Sequence, residues 1–155
     1  MRAVIQRVHR ASVTIDHNET TTRHIDKGLV VFLGVTEGDT EKQVEFMSHK
    51  VCELRIFSDT EDKMNLSLSD IGGDILIISN FTLGTDCKKG RRPSFDLAAK
   101  PTEAERLYLR FVETVKKLNL AIGNVQCGEF GAHMDVSVQN DGPVTIIIDT
   151  EKIGK

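Results

Sequence analysis

The chain has 155 residues, 39% hydrophobic and 28% charged, with a formal net charge of −3. That length fits one domain over 1–155 with a core of its own. No apolar run approaches the ~20 residues a membrane-spanning helix needs. The negative balance speaks against a protein that coats nucleic acid by charge alone.

In chain order, Arg2 to Val8 and Ala11 to Asp16 read as two short strands rich in β-branched residues. The first eight residues lack the apolar core of a signal peptide. The polar stretch His17 to Asp26 reads as a surface turn. Gly28 to Val35 is apolar almost throughout and predicts a strand buried on both faces. A helix follows from Thr40, where Thr40 and Gln43 have capping-box spacing and Val44, Met47, Val51 and Leu54 share one face. Ser58 to Gly73 is a polar connection. Its acidic start is not a calcium loop, because Lys63 and Met64 stand where a ligand and the required glycine belong.

The apolar run from Asp74 predicts a strand ending in Ser79-Asn80-Phe81-Thr82, and Thr85 to Lys100 an irregular stretch. Thr102-Glu103-Ala104-Glu105 has capping-box spacing before a helix with the stripe Leu107, Phe111, Val115 and Leu118. Three closing strands are expected at Ala121 to Gln126, Met134 to Gln139 and Val144 to Asp149. Cys52, Cys87 and Cys127 are far apart, odd in number and form no C-x-x-C pair. That supports neither a disulfide framework nor a cysteine zinc site, and suits a reducing cytoplasm. No cofactor and no metal are expected.

Three polar segments can carry chemistry. Ser79 to Thr82 offers either a hydroxyl nucleophile or hydrogen-bond donors for an oxyanion. None of the five histidines sits in a triad motif and the G-x-S-x-G elbow is absent, which favours the second. Asn140-Asp141-Gly142-Pro143-Val144-Thr145 reads as a hairpin turn, or as a backbone turn aiming carbonyls at a donor such as an ammonium. Lys88, Lys89, Arg91 and Arg92 put four charges in five residues, either as a solvated loop or as a phosphate contact. Between glycines, Phe130 either stacks on a nucleobase or tucks into the core.

Ser79 to Thr82, Gly128 to Ala132 and Asn140 to Thr145, with Met1 to Val8, Leu54-Arg55-Ile56-Phe57, Lys63 to Leu68 and Arg92-Pro93-Ser94-Phe95, resemble the D-aminoacyl-tRNA deacylase family from end to end. Asn140, Gly142, Pro143 and Thr145 match its Asn-x-Gly-Pro-x-Thr signature. Ser79 and Thr82 match Ser-Gln-x-Thr, with Asn80 in place of the glutamine and one methylene shorter. Asn18 and Asp26 stand where glycines are usual.

The resemblance implies a single-domain α/β fold, a three-layer β/β/α arrangement with a barrel-like sheet and two main helices. It further implies a homodimer with the active site at the subunit interface, acting on the aminoacylated 3′ end of tRNA. A cis Gly142-Pro143 peptide, braced by Arg7, would enter the partner's pocket and hold the α-ammonium of a D-amino acid or glycine. Phe81 and Thr82 N–H groups would face the ester carbonyl, and residues from Phe130 through Gly131 to Met134 would line the terminal adenosine. The tRNA's own 2′-hydroxyl would assist water attack. The rival from another class is a non-catalytic RNA-binding module working through the basic cluster; a serine esterase acting on small esters is the third reading.

Overall fold

The computed structural model describes residues 1–88, 90–118 and 121–153. Its organising element is one 14-residue strand, β1 (Arg2–Ile15), rather than the two short strands expected. The break in its apolar pattern comes from a bulge. Val8 faces Asn140 and Arg10 faces Gln139, so two steps on β1 meet one on its partner and His9 is the extra residue.

One edge of β1 is shared by two strands. Its second half pairs with β2 (Asn18–Ile25) and its first half with β3 (Gly28–Gly34), both antiparallel. β2 corrects the expectation of a surface turn. Only Asp16 and His17, with φ of 49° and 57°, make the turn, and Asn18 already opens the strand. Its signal was missed because only Ile25 of β2 is buried, so no apolar alternation marks it. β3 agrees with expectation, with every residue but Phe32 buried.

The sheet continues in parallel from β3 to β6 (Asp74–Ser79) and from β6 to β7 (Val125–Cys127). β7 is shorter than the strand expected from Ala121. The Asp74 carboxylate takes the Asn124 N–H at 2.7 Å and the Gly73 carbonyl takes the Gly123 N–H at 2.8 Å, so that segment is bound irregularly. The other edge of β1 pairs with β8 (Met134–Asp149), a single 16-residue strand where two were expected. Arg23 of β2 donates to the carbonyls of Cys127 and Gly128 at 2.5 and 3.1 Å, drawing the two sheet ends together. The result is a nearly closed, barrel-like sheet.

α1 (Glu41–Glu53) forms as its sequence requires, with the Thr40–Gln43 capping box made on both sides. In the polar connection, β4 (Phe57–Ser58) and β5 (Met64–Leu66) pair, and a third helix, α2 (Leu68–Ile71), is capped by Ser67 and Asp70. α3 (Pro101–Lys117) starts one residue before the expected cap. Pro101 occupies the first turn and Lys100 is the N-cap without a side-chain hydrogen bond, so the Thr102 box is not made. Proline's fixed φ suits the first helical position and moves the start forward.

Two apolar cores result. One lies between the sheet and helices α1 and α3, built from residues such as Ile5, Val31, Ile77, Met47 and Phe111. The other, around Val8, Val13, Val30 and Ile78, is built from strand residues alone. Tyr108 of α3 joins the first core to the sheet. Its hydroxyl donates to the Ile77 carbonyl at 2.9 Å, and burial raises the phenol's pKa above its usual value. That carbonyl also accepts the Gly128 N–H at 2.9 Å, so Tyr108→Phe removes one of its two donors and should cost about 0.5–1.5 kcal/mol in chemical denaturation. An unchanged midpoint would mean that water takes the place of the hydroxyl. No helix among the described residues is long and apolar enough to cross a membrane.

Candidate functional site

β6 ends at Ser79, two residues earlier than the apolar run suggested. A 3₁₀ turn over Phe81–Gly84 follows, with Asn80 as its cap. The Asn80 N–H still donates to Leu33 O at 2.8 Å, so the turn starts locked to β3. Gly34 lets the turn lie close above β3. A Cβ there would sit 2.8 Å from Leu83 Cβ and 2.9 Å from the Asn80 carbonyl oxygen.

Beside this turn opens a cavity of about 580 Å³, in the range that holds a nucleoside or a large side chain. Ser79, Asn80 and Phe81 form one wall, and Phe130, Gly131 and Met134 another. Phe95 and the start of α3, with Lys100, Pro101 and Ala104, complete it. Phe130 packs against Tyr108 at a ring distance of 6.0 Å, as the core reading expects, and also lines the cavity. Phe81 is 59% exposed and meets Phe95 edge-on at 5.3 Å. Phe95, Lys100 and Ala104 were missed as lining residues, because nothing local in the sequence tells which side of a loop or helix start faces a cavity.

The polar groups are sparse. Asn80 Oδ1 accepts from the Thr82 N–H at 3.2 Å and the Thr82 hydroxyl at 2.5 Å. The Thr82 N–H is therefore engaged within the turn, and not open to a carbonyl as expected. Among the described residues, no hydrogen bond engages the Phe81 N–H or the Ser79 hydroxyl, and no histidine hydrogen-bonds to Ser79 or Thr82. Such a site can receive and polarise a carbonyl. It has no built-in base for a hydroxyl nucleophile.

The Gly-Pro segment lies elsewhere. Val8 faces Asn140 and Gln6 faces Thr145, so two steps on β1 meet five on β8 and three residues bulge out of the strand. The turn between two strands is thus an excursion within one. Asn140 Nδ2 closes its neck by donating to Arg7 O at 2.9 Å and Val144 O at 3.0 Å. Gln6 Nε2 donates to the Thr145 hydroxyl at 3.2 Å.

Arg7 donates to Ile56 O at 2.7 Å, and its Nε lies 3.1 Å from Asp141 Oδ2 at an angle too poor for a hydrogen bond. The Gly142-Pro143 peptide is cis, as expected, and Gly142 has φ of 134°. A Cβ at Gly142 would meet Val144 N at 2.7 Å and Val144 Cγ2 at 2.8 Å. Arg7, Asn140, Gly142, Pro143 and Thr145 thus form a second cluster, outside the cavity lining of their own chain.

Lys88, Arg91 and Arg92 lie in a loop whose base is closed by Asp86 and Ser94, which exchange backbone hydrogen bonds at 2.8 and 2.9 Å. All three are exposed, and none is ion-paired among the described residues. Lys89 lies outside the described residues. The loop leads directly into Phe95, at the cavity wall.

The family profile described as D-Tyr-tRNA(Tyr) deacylase matches residues 4–149. The D-aminoacyl-tRNA deacylase of Clostridioides difficile (strain 630) is 52% identical over 152 residues, covering 98% of this chain and 99% of that protein. That of Desulfotalea psychrophila (strain LSv54 / DSM 12343) is 54% identical over 153 residues, covering 99% of each. The solved structure titled c-Myc DNA Unwinding Element Binding Protein superimposes with a TM-score of 0.88 at 41% identity, over 96% of this chain and 98% of that one. On near-complete coverage at half identity, the chain belongs to the D-Tyr-tRNA(Tyr) deacylase family.

Proposed function

We propose that this chain hydrolyses the ester bond of D-aminoacyl-tRNA, and of mischarged glycyl-tRNA, releasing the amino acid and free tRNA as chiral proofreading in translation. Family membership carries this reading, since D-aminoacyl-tRNA deacylases share half of their residues with the chain over almost its whole length. Residues 1–155 act as one such domain, in the cytoplasm where aminoacyl-tRNA is made and used. The two separate cores suit the three-layer β/β/α stacking.

The working unit is a homodimer with its active sites at the interface. Two observations support it. The outer edge of β8 pairs with no strand among the described residues, and Ile147 on it is 74% exposed; such edges are ordinarily covered. The Gly142-Pro143 excursion also has no part in its own chain's cavity, so a partner's cavity is its natural destination. There the carbonyls of Gly142 and Pro143 accept hydrogen bonds from the substrate's α-ammonium, and the rigid excursion clashes with an L side chain. Arg7, Asn140 and Thr145 hold that excursion in shape.

In the cavity, the Phe81 N–H and the Ser79 hydroxyl polarise the ester carbonyl and stabilise the oxyanion formed when water attacks. Asn80 and Thr82 fix the 3₁₀ turn that presents the Phe81 N–H. Phe130, Gly131 and Met134 receive the terminal adenosine, whose 2′-hydroxyl assists the attacking water. Lys88, Lys89, Arg91 and Arg92 contact the tRNA backbone.

Incubation with D-Tyr-tRNA separates this reading from a non-catalytic RNA-binding module. Many turnovers per chain are expected, whereas retention on RNA without turnover would favour the module. Thr82→Ala should keep activity within about tenfold, because the hydroxyl only supports the turn. A fall to the uncatalysed rate with binding intact, or labelling of Ser79 or Thr82 by an acylating probe, would restore a covalent serine-esterase mechanism.

A further inference from the structure

A second chemical cluster lies on the outer surface, assembled from residues 118 positions apart. His17 Nδ1 is 2.7 Å from Asp135 Oδ2, and His133 Nε2 is 3.2 Å from Asp135 Oδ1. The two imidazoles lie 4.3 Å apart at 41°, and the three donor atoms all fall within 4.8 Å of one another. We propose that His17, His133 and Asp135 bind a divalent transition-metal ion, zinc(II) first.

The donor set is two imidazoles and one carboxylate, the chemistry that suits zinc and its neighbours rather than calcium or magnesium. At zinc–nitrogen distances of 2.0–2.1 Å, tetrahedral donors lie about 3.4 Å apart. Rotation of three exposed side chains opens the 2.7 and 3.2 Å nitrogen–oxygen contacts, and draws in the wider separations within 4.8 Å, to that value. Water fills the remaining position, because the cluster faces solvent. Each imidazole now directs a nitrogen at the carboxylate, and the metal would sit where those nitrogens and the carboxylate oxygens converge.

The backbones carrying these donors are already stapled. Asp16 N–H donates to His133 O at 2.9 Å, and His133 N–H donates to Asp16 Oδ1 at 3.1 Å. The tip of the β1–β2 hairpin is thereby fixed against the entry of β8, so two of the three donors need no backbone movement to meet. A bound ion would clamp the hairpin tip to the segment in which Ala132 and Met134 line the cavity.

The test is calorimetric titration of zinc chloride into the full chain after chelator treatment and dialysis. One saturable zinc per chain is expected. His17→Ala and His133→Ala should each weaken binding by roughly tenfold or more, since even groups outside the ligand set cost 10–100-fold. His49→Ala is the matched control, as its ring lies 3.2 Å from Glu45 and 3.4 Å from Glu53 on α1. Cys87→Ser controls for the exposed thiol. Nickel(II) should selectively shift and broaden the His17 and His133 imidazole NMR signals. No saturable binding, binding unchanged in His17→Ala, or binding lost in His49→Ala or Cys87→Ser would overturn the proposal.

Discussion

Gly142→Ala is expected to lower the turnover of D-aminoacyl-tRNA by roughly a hundredfold or more, the penalty that a displacement of about 1 Å brings to a positioned group. Gly142 sits at φ of 134°, where an L residue is strained, and its Cβ would press into Val144 from 2.7 Å. The excursion therefore has to shift, and the carbonyls proposed to hold the α-ammonium shift with it. Its neck remains closed through Asn140, so the strain stays local and the rest of β8 keeps its register with β1. The thermal midpoint should move by only a few degrees while kcat/KM collapses. A variant as active as the parent would mean that the excursion does not touch the substrate.

Reversal of Lys88, Lys89, Arg91 and Arg92 to glutamate is the second large effect. The slope of log affinity against log salt should fall by roughly 0.7 to 0.9 for each phosphate the loop no longer neutralises, and by about 3 if all four side chains contribute. Affinity for full-length aminoacyl-tRNA should drop about a hundredfold or more at low salt, and less at high salt where phosphate attraction is screened. Hydrolysis of a minimal aminoacyl-adenosine should change little, because that substrate lacks the tRNA backbone. Equal losses on both substrates would instead mean that the loop shapes the cavity through Phe95, which follows it directly. No loss on either would make these residues ordinary solvated charges.

How far the sequence reveals this molecule depends on whether each signal is local. α1 is legible because Thr40, Gln43 and its apolar stripe all act within one helix. β3 is legible because burial on both faces leaves an unbroken apolar run. β2 is not, since its threonines and Arg23 face solvent or other polar groups and only Ile25 enters a core. The capping box at Thr102 has correct spacing, yet Pro101 starts the helix first.

The two signature segments stand out in the sequence because their polar residues interrupt apolar strands. What it hides is their distance from one another. Gly142-Pro143 reads locally as a turn between strands, and only the paired neighbours Val8 and Gln6 reveal an excursion within one strand. Phe95, Lys100 and Ala104 reach the cavity through tertiary packing alone. So do His17, His133 and Asp135, whose meeting depends on the β1–β2 tip folding back onto β8.

On the function proposed above, a site built largely from main chain hydrolyses the D-aminoacyl ester and rejects its mirror image. The most direct measurement compares kcat/KM for D-Tyr-tRNA and L-Tyr-tRNA with the same chain, the same tRNA and catalytic amounts of protein. D-Tyr-tRNA should be hydrolysed faster by at least roughly a hundredfold, because an L side chain meets backbone that cannot yield. Equal rates on the two esters, or hydrolysis of neither, would contradict the account.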